Sequence, residues 1–191
     1  MRRLGFCSTP DGPPPAAGLR TLAATISWGN TEEHVKNWRK AVAMGGNGVF
    51  RIVVGVDGSA SSRRALEWAV EEARLRGGEV HAVTAWAFPP VTVGMEGLIH
   101  DPDIFPQAAR RLQDEALKRV ESEGVPVSGE VDQGTAAAVL LRAAEDADLL
   151  VVGSRGLGGF TGLLLGSVSS QLVHHAPSPV LVVRSRHGAE E

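Results

Sequence analysis

Short β-branched apolar runs alternate with longer segments of helical period from Phe50 to Arg184, and this alternation constrains the fold more than any other feature of the chain. The runs are Phe50–Asp57 (FRIVVGVD), Glu79–Trp86 (EVHAVTAW), VPVSGEVD at 125–132, Asp148–Gly153 (DLLVVG) and Ser178–Arg184 (SPVLVVR). The first is continuously apolar, as a strand covered on both faces must be. Behind it, serines able to cap precede Leu66, Ala69, Val70 and Ala73 at helical spacing, with Gly77 and Gly78 as the stop. Further helices are expected over Gln107–Glu123, residues 135–147 (TAAAVLLRAAEDA) and Ser167–His175. Successive strands separated by a helix need crossover connections, so they lie parallel with helices on both faces. The expected class is a doubly wound α/β fold with an open, Rossmann-like, five-stranded parallel sheet. Such sheets bind ligands outside the carboxyl ends of their strands where strand order reverses. The first strand ends in VDGS and the fourth in VVGSRG, which makes those ends the candidate site.

The remaining segments read differently. Residues 1–47 are expected to be a poorly structured extension, because Ser8–Gly18 (STPDGPPPAAG) is rich in proline and glycine. Within it, Asn30 and Glu33 form a capping box for a short helix over Thr31–Ala43. Met44, just before the first strand, is the expected natural start, with residues 48–186 as the folded domain and 187–191 as a tail. The letters after Arg2 and Arg3 soon meet prolines and then Arg20, which is not the pattern of a signal peptide. The segment AFPPVTVGMEGLIHDPDIFP after the second strand is expected to be a long loop, because its prolines and glycines preclude a regular element.

Composition excludes several functions. Of the 191 residues 43% are hydrophobic and 21% charged, which a chain with a buried core requires. A formal charge of −3 and no cluster of basic residues speak against a nucleic-acid surface. The single cysteine, Cys7, precludes an internal disulfide and fits a cytoplasmic protein.

The stretch Val151–Leu172 (VVGSRGLGGFTGLLLGSVSSQL) carries the chemistry. Glycine serves there either where φ is positive or where backbone N–H groups must approach an anion. The helix that follows adds its uncommitted N–H groups, its partial positive charge and the Ser167 hydroxyl. A connector that only joins strand to helix is the plainer reading of the same letters. Three familiar motifs do not fit. LLLGSVS has no lysine of a Walker A loop, GVDGSASS lacks the Rossmann glycine spacing, and Ser59, Ser154 and Ser167 lack the GxSxG frame.

VVGVDGS, the spacing Gly153-x2-Gly156-x9-Gly166-Ser167 and PSPVLVVR together resemble the universal stress proteins in their nucleotide-binding form, over about Phe50–Arg184. The resemblance implies a sheet of order 3-2-1-4-5, a regulatory role in the stress response, and binding of ATP, or of ADP or AMP, as a homodimer. Carried over, Asp57 and the backbone at Gly55 and Ala85 would meet the adenine and ribose. Val152, Gly153, Arg155 and Gly156 would line the ribose and phosphate side, and Gly166, Ser167 and Val168 would hold the phosphates. Mg²⁺ would be held through the phosphates more than by protein ligands. The last strand, Val180–Val183, would pair with a second copy and cover its edge.

Single residues admit plainer readings. Asp57 could cap the next helix, but its place at the strand end favours ligand contact; Arg155 could be a solvated loop charge, but phosphate contact is preferred because arginine is suited to phosphate recognition. Adjacent His174 and His175 do not share a helix face, so they are read as helix-end histidines, not a metal pair. His100–Asp103 (HDPD) is read as a solvated turn, and Trp68 and Trp86 as packing residues. No residue of the glycine loop is a general base. The working expectation is a regulatory nucleotide binder without efficient catalysis, against a slow ATPase or nucleotidyl transferase and a dimeric interaction module with no nucleotide.

Overall fold

The computed structural model of the chain describes residues 48–88, 103–158 and 164–184. Among the described residues five strands, β1 (Arg51–Gly55), β2 (Glu79–Trp86), β3 (Val127–Gln133), β4 (Leu149–Gly153) and β5 (Val180–Val183), alternate with four helices. The helices are α1 (Ala60–Arg76), α2 (Ile104–Arg119), α3 (Ala136–Ala143) and α4 (Ser167–His175). All strand pairs are parallel and the order is β3-β2-β1-β4-β5, as expected. The helix expected over Thr31–Ala43 and the start at Met44 lie outside the described residues.

The central strand explains why its sequence is apolar without alternation. Ile52, Val53 and Val54 are all fully buried, because β1 has a partner on each edge and a helical layer on each face. Ile52 and Val54 join Leu66, Ala69, Val70 and Ala73 of α1 and Ala116 and Leu117 of α2. Val53 turns the other way, onto Leu150 of β4, Val139 and Leu140 of α3 and Leu172 of α4. Each of the valine, leucine and isoleucine side chains contributes about 1.5–3 kcal/mol by leaving water. Two buried polar side chains, His81 and Gln113, are bonded across the strands. His81 has its ring nitrogens 2.9 Å from Ser128 Oγ and 2.9 Å from Glu130 Oε2, and Gln113 donates to the carbonyls of Ala82 and Glu130 at 3.1 and 2.7 Å.

Several boundaries differ from the sequence expectation. The second helix starts at Ile104, three residues before Gln107, because Pro106 falls in its first turn, where no N–H is needed. It ends at Arg119 and not Glu123, as Val120 is extended (φ −86°, ψ 134°). The third helix stops at Ala143 and passes into a tighter turn, with Glu145 N–H donating to Arg142 at 3.4 Å. The strands are trimmed to the ladder: Asp148, for example, lies outside β4 and accepts the Arg51 N–H at 2.8 Å. By contrast, α1 begins behind Ser59, whose Oγ accepts the Ser62 N–H at 3.1 Å, and ends at Gly77 in the left-handed region (φ 62°), as its letters predict.

This topology creates the crevice. From β1 the chain winds through α1 to β2 and through α2 to β3, then crosses back to β4 on the far side of β1. The order therefore reverses between β1 and β4, whose carboxyl ends lie side by side.

Candidate functional site at the ends of β1 and β4

The end of β1 is pinned before it reaches the crevice. Val56 donates to Val83 O at 2.9 Å, and its own carbonyl accepts the Thr84 hydroxyl at 3.0 Å. Asp57 is thereby presented, half-buried, at the mouth of the crevice. Its Oδ1 accepts the Ser59 N–H at 2.9 Å and its Oδ2 the Leu157 N–H at 3.3 Å. Capping of α1 falls to Ser59, so capping does not account for Asp57.

The β4 end is bolted to the same turn. The Arg155 carbonyl accepts the Ser61 hydroxyl, with the Ser59 hydroxyl at 3.4 Å. A Cβ on Gly153 would lie 2.6 Å from Ser61 Oγ and 2.8 Å from the Ser61 carbonyl carbon, and one on Gly156 would collide with Asp57 Oδ2. Neither glycine has positive φ, nor do Gly158 and Gly166. Of the two reasons offered for glycine in this loop, positive φ therefore does not apply to the described positions. Gly153 and Gly156 are glycine because the first βα turn packs directly against them.

Gly166 differs from both. It is the N-cap of α4, extended at φ −76° and ψ 170°, and a Cβ there would meet its nearest neighbours at an ordinary 3.5 Å. Its N–H donates to Ser154 O at 2.7 Å, so that donor is already used. The Ser169 hydroxyl donates to the same carbonyl at 2.9 Å and fixes the start of the helix. The first intrahelical bond of α4 runs from Ser170 N–H to Gly166 O at 3.0 Å. The N–H groups of Ser167, Val168 and Ser169 thus have no acceptor within the helix, and Ser167 is exposed.

The residues singled out from sequence come together unevenly. Asp57, Gly153, Arg155, Gly156 and Gly166 form one contiguous rim, and Ser167 and Val168 continue it along α4. Gly55 and Val152 form the floor: a Cβ on Gly55 would lie 3.0 Å from Leu140 Cδ1 and 3.3 Å from Val152 Cγ1. Ala85 stands on β2, across from Asp132 of β3, on the opposite side of β1 from β4. Arg155 is half-buried, and among the described residues its guanidinium has no ion-pair partner. Sequence reasoning missed Ser61, Ser169 and the Leu157 N–H. The serine run after Asp57 was legible only as capping.

Other groups stay apart from this rim. His174 and His175 are exposed in the last turn of α4, with His174 Nδ1 2.7 Å from Ser170 O. Trp68 and Trp86 are half-buried, and Trp86 makes an edge contact with Phe88 at 5.2 Å. Among the described residues no three His, Cys, Asp or Glu side chains cluster to hold a metal, and no helix is long and apolar enough to cross a membrane.

Known proteins share these features. The universal stress protein family model matches residues 48–184. A universal stress protein of Mycobacterium tuberculosis H37Rv is 42% identical over 135 residues, covering 70% of this chain and 45% of that protein. The chain spans about half the length of the curated relatives it matches. A crystal structure of a universal stress protein in complex with cAMP is 29% identical, with TM-score 0.54, over 72% of this chain and 98% of that one. The universal stress protein of Archaeoglobus fulgidus in complex with dAMP is 26% identical, with TM-score 0.51, over 71% and 98%. With its sheet order, its glycine spacing and a family match across the whole described sheet, the chain belongs to the universal stress protein family.

Proposed function

We propose that this protein is an adenine-nucleotide-binding regulator that takes ATP, or ADP or AMP, at the β1/β4 crevice. One observation carries the reading: α4 begins directly behind the glycine loop, with the N–H groups of Ser167, Val168 and Ser169 uncommitted within the helix. Asp57, Gly55 and Ala85 would border the base and ribose. Val152, Gly153, Arg155 and Gly156 would line the middle, and Gly166, Ser167 and Val168 the phosphates. These residues fit the ligand, since a helix N-terminus, a hydroxyl and an arginine all favour anionic oxygens. Bound nucleotide would bring Mg²⁺ with it, and the ion would neutralise phosphate charge. Two solved relatives, with cAMP and with dAMP, support an adenine nucleotide as the ligand class.

The protein acts, on this reading, as a stress-response switch in the cytoplasm and as a homodimer. Support for pairing comes from β5, a strand at the sheet edge with every residue half-buried. Leu150 N–H bonds to Pro179 O and Ser154 N–H to Val183 O, both at 2.8–2.9 Å, so odd-numbered residues face β4. The N–H and C=O groups of Val180 and Val182 are left at the outer edge, where a second copy could bond them.

The test is to denature freshly purified protein and identify what it releases by mass. Release of an adenine nucleotide, or uptake of added ATP by emptied protein, is expected. Protein that neither carries nor binds one is an interaction module, and the nucleotide reading fails.

A further inference from the structure

Both oxygens of Asp57 are committed to backbone donors, and the two donors belong to different loops. Oδ1 accepts from Ser59, two residues on, and Oδ2 accepts from Leu157, 100 residues on. Hydrogen bonds from N–H groups to a carboxylate are stronger than those between neutral groups. The same short segment is held from its other end, where the Ser61 hydroxyl donates to the Arg155 carbonyl. Residues 155–157 are thus gripped on both sides of Gly156 by the turn that follows β1. Gly156 has no side chain because the carboxylate occupies the space where a Cβ would go.

We infer that Asp57 is the positioning residue of the glycine loop: its carboxylate latches residues 155–157 to the end of β1 and so sets the phosphate side of the crevice, not only its base side. The latch itself stands on the two hydrogen bonds and on Gly156. Its effect on a ligand rests on the nucleotide reading given above, because it assumes that phosphate is held by the loop and by α4. A change at Asp57 then weakens ligands that contain no base at all, which a residue acting only on adenine would leave untouched.

Amide exchange measured by NMR on the full chain reads the latch without any ligand. In Asp57→Ala the Leu157 amide should exchange about tenfold faster, the worth of one hydrogen bond to a charged acceptor. Asp57→Asn retains one acceptor oxygen, so it should protect one of the two amides, Ser59 or Leu157, and release the other; it also carries the test should the alanine variant not fold. Gly156→Ala, which pushes on the carboxylate, should speed Leu157 exchange in the wild-type background and add nothing in Asp57→Ala, the coupling expected of groups in contact. With Mg²⁺ present, Asp57→Ala should weaken inorganic tripolyphosphate as well as ATP, the loss for ATP being at least as large. Unchanged Leu157 exchange, with a loss confined to ATP, overturns the proposal and leaves Asp57 as a base contact. If wild type binds neither ATP nor tripolyphosphate the nucleotide reading falls, and the exchange rates alone decide whether the latch exists.

Discussion

Gly153, at the end of β4, and Gly156, in the loop behind it, are glycine for the sake of different neighbours. Gly153 lies against the Ser61 backbone and hydroxyl, and Gly156 against the Asp57 carboxylate. Overpacking of this kind costs about 1–3 kcal/mol, so Gly153→Ala should lower stability by that amount in urea denaturation. An unchanged midpoint would mean the loop moves away freely. The sequence marks this loop as special but not the reason, because Ser61 and Asp57 enter from the first βα turn, far upstream in the chain. Glycine spacing is visible in letters, whereas the atom that fills the missing side chain's place is not. Gly166 is the opposite case. Among the described residues nothing crowds it, and its φ of −76° suits any residue; glycine there serves the N-cap and would leave room for the proposed ligand.

Among elements, α4 was legible to the residue, since apolar Val168 and Leu172 at helical spacing follow an N-terminal Gly–Ser pair. Its fully buried Leu172 locks the helix onto the β1 and β4 face. The start of α2 was obscured because Pro106 reads as a helix breaker unless the first turn is already known. Edge strand β5 yields a prediction of its own. Proline is tolerated on an edge strand when its N position faces outward, as that of Val182 does, but it removes the donor a second copy would use. Val182→Pro should therefore keep the protein folded while converting a sedimenting dimer to monomer. A variant still dimeric at the same concentration would place the interface elsewhere.

For the molecule as a whole, the class of fold followed from alternation alone, because parallel strands require crossovers. The order 3-2-1-4-5 did not: any doubly wound sheet shows the same alternation, and the order came from the resemblance to the family. That order is what puts the β1 turn and the glycine loop into contact and sets α4 pointing its N-terminus at the reversal point. Each half of the site is thus held by the other, and binding should stabilise the whole domain, by about 2.7 kcal/mol at a hundredfold excess over Kd. The most direct measurement is calorimetric titration of ATP with Mg²⁺ into wild type and Gly166→Val, with a melting curve for each. The account predicts that wild type binds, and that the variant stays folded and melts only slightly lower without ligand but binds at least tenfold more weakly, because valine at the N-cap of α4 would stand where phosphate is proposed to approach. Equal binding by the two proteins, or no binding by wild type, would contradict it.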